Sequence, residues 1–140
     1  MRQTLYLILT ALAVGCGSDR VPTYPVSGRV VFANGNPVRH GTVELMSVEH
    51  NTAATGKIDH DGGFVLGTYT PNDGATPGAH DAIVVQMVID DGSFEHTVDH
   101  GDKVPTKHAA YETSGLTVAV EHDQENVITI TIDAQMPHGR

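Results

Sequence analysis

Histidine and aspartate are the side chains of this 140-residue chain best suited to chemistry, with 9 histidines set beside 17 acidic and 8 basic residues. Two stretches set the two types side by side. The first, residues 57–66 (KIDHDGGFVL), has the look of a calcium loop. An EF-hand loop needs oxygen ligands at alternate early positions, a glycine at the sixth and a bidentate glutamate at the twelfth. Starting from Asp59, with Asp61 third, Gly63 falls on the fifth position, Phe64 on the sixth and Thr70 on the twelfth. The count excludes an EF-hand. Asp59 and Asp61 stay candidate ligands only for a looser site shared with distant loops, and the Asp-Gly cluster is expected to be a turn joining two strands. The second stretch, His96-Thr97-Val98-Asp99-His100, follows Asp90 and Asp91 and offers two imidazoles and a carboxylate for zinc or copper. On a strand, residues four apart lie roughly 13 Å apart, too far to share one ion. The expectation for His96, Asp99 and His100 is therefore a solvated acidic loop, with metal binding as the rival.

Nucleophiles are scarcer. No serine sits in a Gly-x-Ser-x-Gly elbow, and Ser27-Gly28 and Ser114-Gly115 read as turn residues at strand starts. The single cysteine, Cys16, has a different context. Residues 5–14 (LYLILTALAV) form an apolar run behind Arg2, and Gly15 stands directly before the cysteine. Such a run is shorter than the roughly 20 residues that cross a bilayer but has the length of a signal-peptide core. The Ala13-Val14-Gly15-Cys16 context resembles a bacterial lipobox, and that resemblance implies cleavage before Cys16 and its modification by palmitate-type acyl chains. Cleavage there removes Arg2 and no acidic residue, leaving 7 basic and 17 acidic side chains and a formal charge of -10. So few and scattered cations cannot track phosphates, so no nucleic acid partner is expected. An anionic membrane surface would repel the chain, which makes the lipid its expected means of attachment.

These residues need a scaffold, and its patterning is that of an all-β domain. Leu116, Val118 and Val120 alternate with Thr117 and Ala119, and Ile128, Ile130 and Ile132 alternate with Thr129 and Thr131. One face of each strand is thus oily and the other wet. A polar loop over residues 122–126 (HDQEN) is expected to join these two as a hairpin. Strands are also expected over 26–32, 41–48, 52–58 and 64–68. Residues 82–89 (AIVVQMVI) are expected to form a central strand with little solvent on either face. Gly62 and Gly63 would let the backbone reverse so that Phe64 and Leu66 enter the core while Val65 faces away. About seven strands at this spacing fit a Greek-key sandwich. The expected organisation is a signal peptide over 1–15, a polar tether over 16–25, one domain over 26–135 and a tail over 136–140.

The run Val26-Ser27-Gly28-Arg29-Val30-Val31, with Gly35-Asn36-Pro37-Val38 and Gly41-Thr42-Val43 after it, resembles the opening of carboxypeptidase regulatory-like domains. The likeness continues through Asp59-His60-Asp61-Gly62-Gly63-Phe64 and Asp73-Gly74-Ala75-Thr76-Pro77-Gly78. With the lipobox, Pro105-Thr106-Lys107 and Thr113-Ser114-Gly115-Leu116-Thr117, it is similar to small lipoproteins of planctomycete bacteria. The resemblance implies a transthyretin-like (prealbumin-like) sandwich, and that family brings no catalytic residues to transfer. Enzymes of similar fold that hydrolyse 5-hydroxyisourate end in Tyr-Arg-Gly-Ser, whereas this chain ends Met136-Pro137-His138-Gly139-Arg140. The expectation is a lipid-anchored, extracytoplasmic, non-catalytic binding or structural module of the cell envelope, without a cofactor and with an envelope protein or glycan as partner. The alternative is a small-ligand or metal-binding protein that uses the His/Asp-rich loops.

Overall fold

The computed structural model describes residues 19–87 and 101–133. The signal segment with Cys16, the His96/Asp99/His100 stretch with Asp90 and Asp91, and the tail over 136–140 lie outside the described residues. Seven strands are present among those described: β1 (Val26–Phe32), β2 (Gly41–Ser47), β3 (Ala53–Ile58), β4 (Gly63–Val65), β5 (Gly78–Val85), β6 (Leu116–Val120) and β7 (Asn126–Ile132). A 3₁₀ turn (Thr106–Ala109) and a single helical turn, α1 (Tyr111–Ser114), precede β6. The strands form a three-stranded sheet in the order β4-β1-β7 and a four-stranded sheet in the order β3-β2-β5-β6. The fold is therefore all-β in two layers.

The alternation in the sequence is what separates inside from outside. Val26, Val30 and Phe32 of β1, Val43 and Leu45 of β2, Ala82 and Val84 of β5 and Ile130 and Ile132 of β7 are buried in one core with Leu66 and Val38. Each large aliphatic or aromatic side chain so buried contributes about 1.5–3 kcal/mol. Phe64 and Leu66 are buried while Val65 is 48% exposed, as the turn at Gly62 and Gly63 requires. Gly62 has φ +83°, a conformation that costs a glycine nothing.

Several expectations need correction. The turn expected between the 52–58 and 64–68 segments joins strands of different sheets, since β3 and β4 do not pair, and the backbone meets across it at the Asp59–Gly63 bond and, just beyond β4, at the Thr55–Gly67 bridge. Likewise β6 and β7 are not a hairpin, and residues 121–125 carry the chain from one sheet to the other. The physical reason is shared: both strands of each pair have oily faces that must meet across the core, which a turn between layers achieves. In consequence β7 pairs parallel with β1, from Val26 opposite Asn126 to Phe32 opposite Ile132. The predicted central strand begins earlier, at Gly78, and lies between β2 and β6, but Asp81 on its outer face is exposed. Ser27 and Gly28 lie inside β1, not in a turn. A Cβ on Gly28 would come within 2.1 Å of the Ile128 carbonyl oxygen and 2.9 Å of the Phe64 ring. Gly115 does serve as a turn residue, ending α1 in the left-handed region at φ 65°.

Candidate functional site

Two loops flank the corner where β3 and β4 approach each other, and an aspartate organises each. In the first, a carboxylate oxygen of Asp59 accepts the backbone N–H groups of Asp61 and Gly63, both at 2.8 Å. The Asp59 N–H reaches the Gly63 carbonyl at 2.9 Å, which closes the turn. The Asp61 carbonyl is held from the far side by Arg29, whose Nη2 donates at 2.7 Å and Nε at 3.2 Å. The Asp61 carboxylate itself points to solvent, 3.8 Å from His60 Nδ1. Asp59 thus builds the turn and Asp61 faces away from it. Among the described residues no group of three or more His, Cys, Asp or Glu is arranged to hold a metal ion.

In the second loop, residues 67–74, Asp73 plays the larger part. Its carboxylate accepts the backbone N–H groups of Thr68 at 2.6 Å, Thr70 at 2.9 Å and Tyr69 at 3.1 Å. Burial alone would raise its pKa, but these bonds outweigh burial and hold the carboxyl below the usual range. The Thr68 hydroxyl donates to the Gly74 carbonyl at 2.8 Å, and Asn72 and Gly74 take positive φ of 64° and 89°. Sequence reasoning missed this residue as an organiser. The available signal was Asn72-Asp73-Gly74 after three loop residues with free N–H groups, an arrangement that favours side-chain to backbone bonding.

Between the loops lies an open groove of about 760 Å³ along the outer edge of β3. Thr55 and Lys57 of β3, Asp59, Val65, Tyr69 and Thr70 are among the residues that line it, so that hydroxyls, the Lys57 ammonium and the Tyr69 ring border a shared space. At its rim the Arg20 guanidinium lies over the Tyr69 ring, 5.2 Å from the centroid. The segment expected to be a tether is therefore packed on the domain from Arg20 onward. Tyr24 exchanges two backbone bonds with Ala75, at 2.9 and 3.0 Å, and so adds a short bridge to the body.

A smaller cleft of about 250 Å³ on another face collects Tyr24, Glu49, His50 and His122, with the Tyr24 and His122 rings 5.8 Å apart. Below the surface, His80 and His108 are 1% and 3% exposed. His80 Nδ1 lies 3.0 Å from the Gly78 carbonyl and His108 Nδ1 lies 3.2 Å from the Ser114 carbonyl, which sets a proton on each Nδ1. The Nε2 atom of each ring is buried without a hydrogen-bond partner. Burial lowers both pKa values, and the neighbouring Lys107 lowers that of His108 further. The rings are thus held neutral. Tyr111 donates to a Glu44 carboxylate oxygen at 2.7 Å, and burial, with that bond, raises its pKa well above the usual phenol range. The Ser114 hydroxyl bonds the Ala82 carbonyl and accepts the Leu116 N–H at 3.1 Å, which fastens α1 to β5.

Comparison with family models, with curated proteins and with solved structures finds no match to the chain.

Proposed function

We propose that the chain is a lipid-anchored, extracytoplasmic module that binds or braces another component of the cell envelope without catalysing a reaction. On this reading Cys16 carries the lipid, and the two sheets are those of a Greek-key, transthyretin-like sandwich of the carboxypeptidase regulatory-like type. The observation that carries the reading is the placing of Arg20 on Tyr69 at the rim of the corner groove. Arg20 follows Cys16 by four positions, a reach of at most about 14 Å. A ligand in the groove would therefore sit close to the bilayer surface, where envelope glycans and protein segments are found.

The use made of reactive side chains supports the same reading. Asp59, Asp73 and Ser114 spend their polar atoms on backbone groups, and His80 and His108 are enclosed. Loops pinned by internal carboxylates are pre-organised, which lowers the ordering cost of binding. Lys57, Tyr69 and the threonines beside them supply the polar contacts and the stacking surface that a glycan or an extended peptide needs.

Mass spectrometry of the mature N-terminus tests the anchor. The expected product begins at Cys16 with diacylglyceryl and acyl groups attached, and the Cys16→Ser variant loses them. An unacylated product would overturn the proposal. Retention of solubilised envelope glycan or protein on the immobilised chain, and its loss in Tyr69→Ala, tests the groove separately.

A further inference from the structure

Among the described residues no strand pairs with the outer edge of β7, and that edge differs from the other edges of the two sheets. β4 has 3 residues, β6 has 5 and β3 has 6, with Lys57 on its edge and a bridge to Gly67, whereas β7 has 7. From Asn126 to Ile132 it contains no charge, proline or glycine (NVITITI). Proteins usually guard such an edge with a lysine, a proline or a bulge. The backbone directions can be read from the ladder. Asn126 donates its N–H to the Pro25 carbonyl and the Ile132 carbonyl accepts from Ala33, so even-numbered residues of β7 bond toward β1. By alternation, Val127, Thr129 and Thr131 aim their N–H and C=O groups away from the sheet. Ile128 faces the core but is only partly buried, and Leu116 and Val118 of β6 share this condition on the same side.

We propose that β7 pairs antiparallel with β7 of a second copy about a two-fold axis through Thr129. This register sets Val127 opposite Thr131 of the other copy and Thr129 opposite Thr129. It satisfies all the outward N–H and C=O groups of those three residues on both chains. It also lays Ile130 of each copy beside the half-buried Ile128 of the other, and joins the three-stranded sheets into one of six strands. A second copy fits because the strand is self-complementary: on a chain of charge -9 it brings no charge to the contact. At the ends of the register Glu125 meets Asp133 of the other copy, and there Lys107, 2.6 Å from the Asp133 carboxylate, offsets one of the two negative charges. One strand pair buries less than the roughly 1,200 Å² of a standard interface, so a weak dimer is expected, with Kd on the order of 100 μM.

Sedimentation equilibrium of the protein as the cell delivers it, in density-matched detergent from about 1 μM to about 1 mM, reads the association. Amide exchange by NMR at the two extremes reads the strand. The expected result is a concentration-dependent dimer in which the amides of Val127, Thr129 and Thr131 gain protection. Thr129→Pro removes only an outward N–H, which an edge strand tolerates, and should weaken the dimer at least tenfold. Thr129→Lys serves as a second variant if the proline disturbs folding, which circular dichroism will show. A monomer at every concentration would overturn the proposal. So would protection of the three amides that does not depend on concentration, because another segment of the same chain would then cover the edge. A dimer untouched by both substitutions would place the contact elsewhere.

Discussion

The two sides on which the sheets come together are built in opposite ways. At the β3–β4 corner the backbone itself closes the gap: Thr55 and Gly67 exchange two hydrogen bonds, at 2.9 and 3.0 Å, and the Asp59 N–H meets the Gly63 carbonyl. Asp59 and Asp73 then tie down the loops on either side. At the β6–β7 side the described residues show no strand-to-strand bridge. The connection is made by Asn126, whose side chain accepts the Glu121 N–H at 2.8 Å and donates to the Glu121 carbonyl at 3.2 Å. Apolar side chains there are only partly covered. A closed edge holds loops still and suits a ligand groove, while an open edge leaves strand bonds to offer.

The strongest way to break this contrast is to force the closed corner apart. Gly56 lies where β3 passes under β4, and a Cβ there would stand 2.4 Å from the Val65 carbonyl oxygen and 3.0 Å from a Leu66 methyl. Backbone cannot yield cheaply at such a distance. Gly56→Ala should destabilise the domain by about 3 kcal/mol, at the upper end of overpacking costs. Val127→Ala on the open edge, where the side chain is 77% exposed, should change stability by less than about 0.5 kcal/mol. Urea denaturation of both variants checks this. Equal losses would mean that the two sides carry similar weight.

The next effect comes from Asp73. Asp73→Ala leaves the N–H groups of Thr68, Tyr69 and Thr70 without their acceptor. The 67–74 loop is partly exposed, so water replaces some of what is lost, and the expected cost is about 2 kcal/mol. Asp73→Asn keeps one oxygen and should recover part of it. The same variants should raise the exchange rates of those three amides while β7 remains unchanged. A Thr68 amide still protected in Asp73→Ala would show that the loop is held by something other than the carboxylate.

How much of this could be read in the sequence depended on range. Period-two alternation located β6 and β7 within about two residues, because each strand has one wet face, and short apolar runs between turn signals located β1 and β2. It also fixed which side chains enter the core, Phe64 and Leu66 among them. Alternation says nothing about which strand lies beside which, so the parallel β1–β7 pair and the crossings at Ile58 and Val120 could not be foreseen. Gly28 was misplaced for a related reason. Glycine marks both turns and close backbone approaches, and only the neighbouring Ile128 carbonyl and Phe64 ring show which applies. At the site, Asp59 was legible as a turn residue through its Asp-Gly context. Asp73 was not, because its partners are backbone groups three to five residues away whose orientation depends on the loop.

The smallest expected effect separates the two sides by pH. His80 pairs across the ladder with Val118 of β6, and His108 lies in the 3₁₀ turn whose Lys107 bonds Asp133 after β7, so both buried rings belong to the open side. Their folded pKa values are lowered by burial relative to the unfolded chain, where histidine titrates near about 6.5. Folding therefore gains from these rings fully above that pH, and loses the gain as pH falls below it and the unfolded state takes up protons first. For Asp73 the folded pKa is also lowered, from an unfolded value near about 3.9, so its contribution at the closed corner persists through mild acid and fades only below about pH 4. Amide exchange should accordingly quicken around β6 and the 3₁₀ turn between about pH 7 and 5, with the amides of residues 68–70 still slow after correction for intrinsic rates. Replacing His108 with glutamine, which cannot charge, should shrink the change at the 3₁₀ turn, keep the share that His80 contributes beside β6, and leave the second window in place. Simultaneous loosening of both sides near pH 6 would instead mean that the domain opens as one unit, and that the asymmetry of its edges has no energetic counterpart.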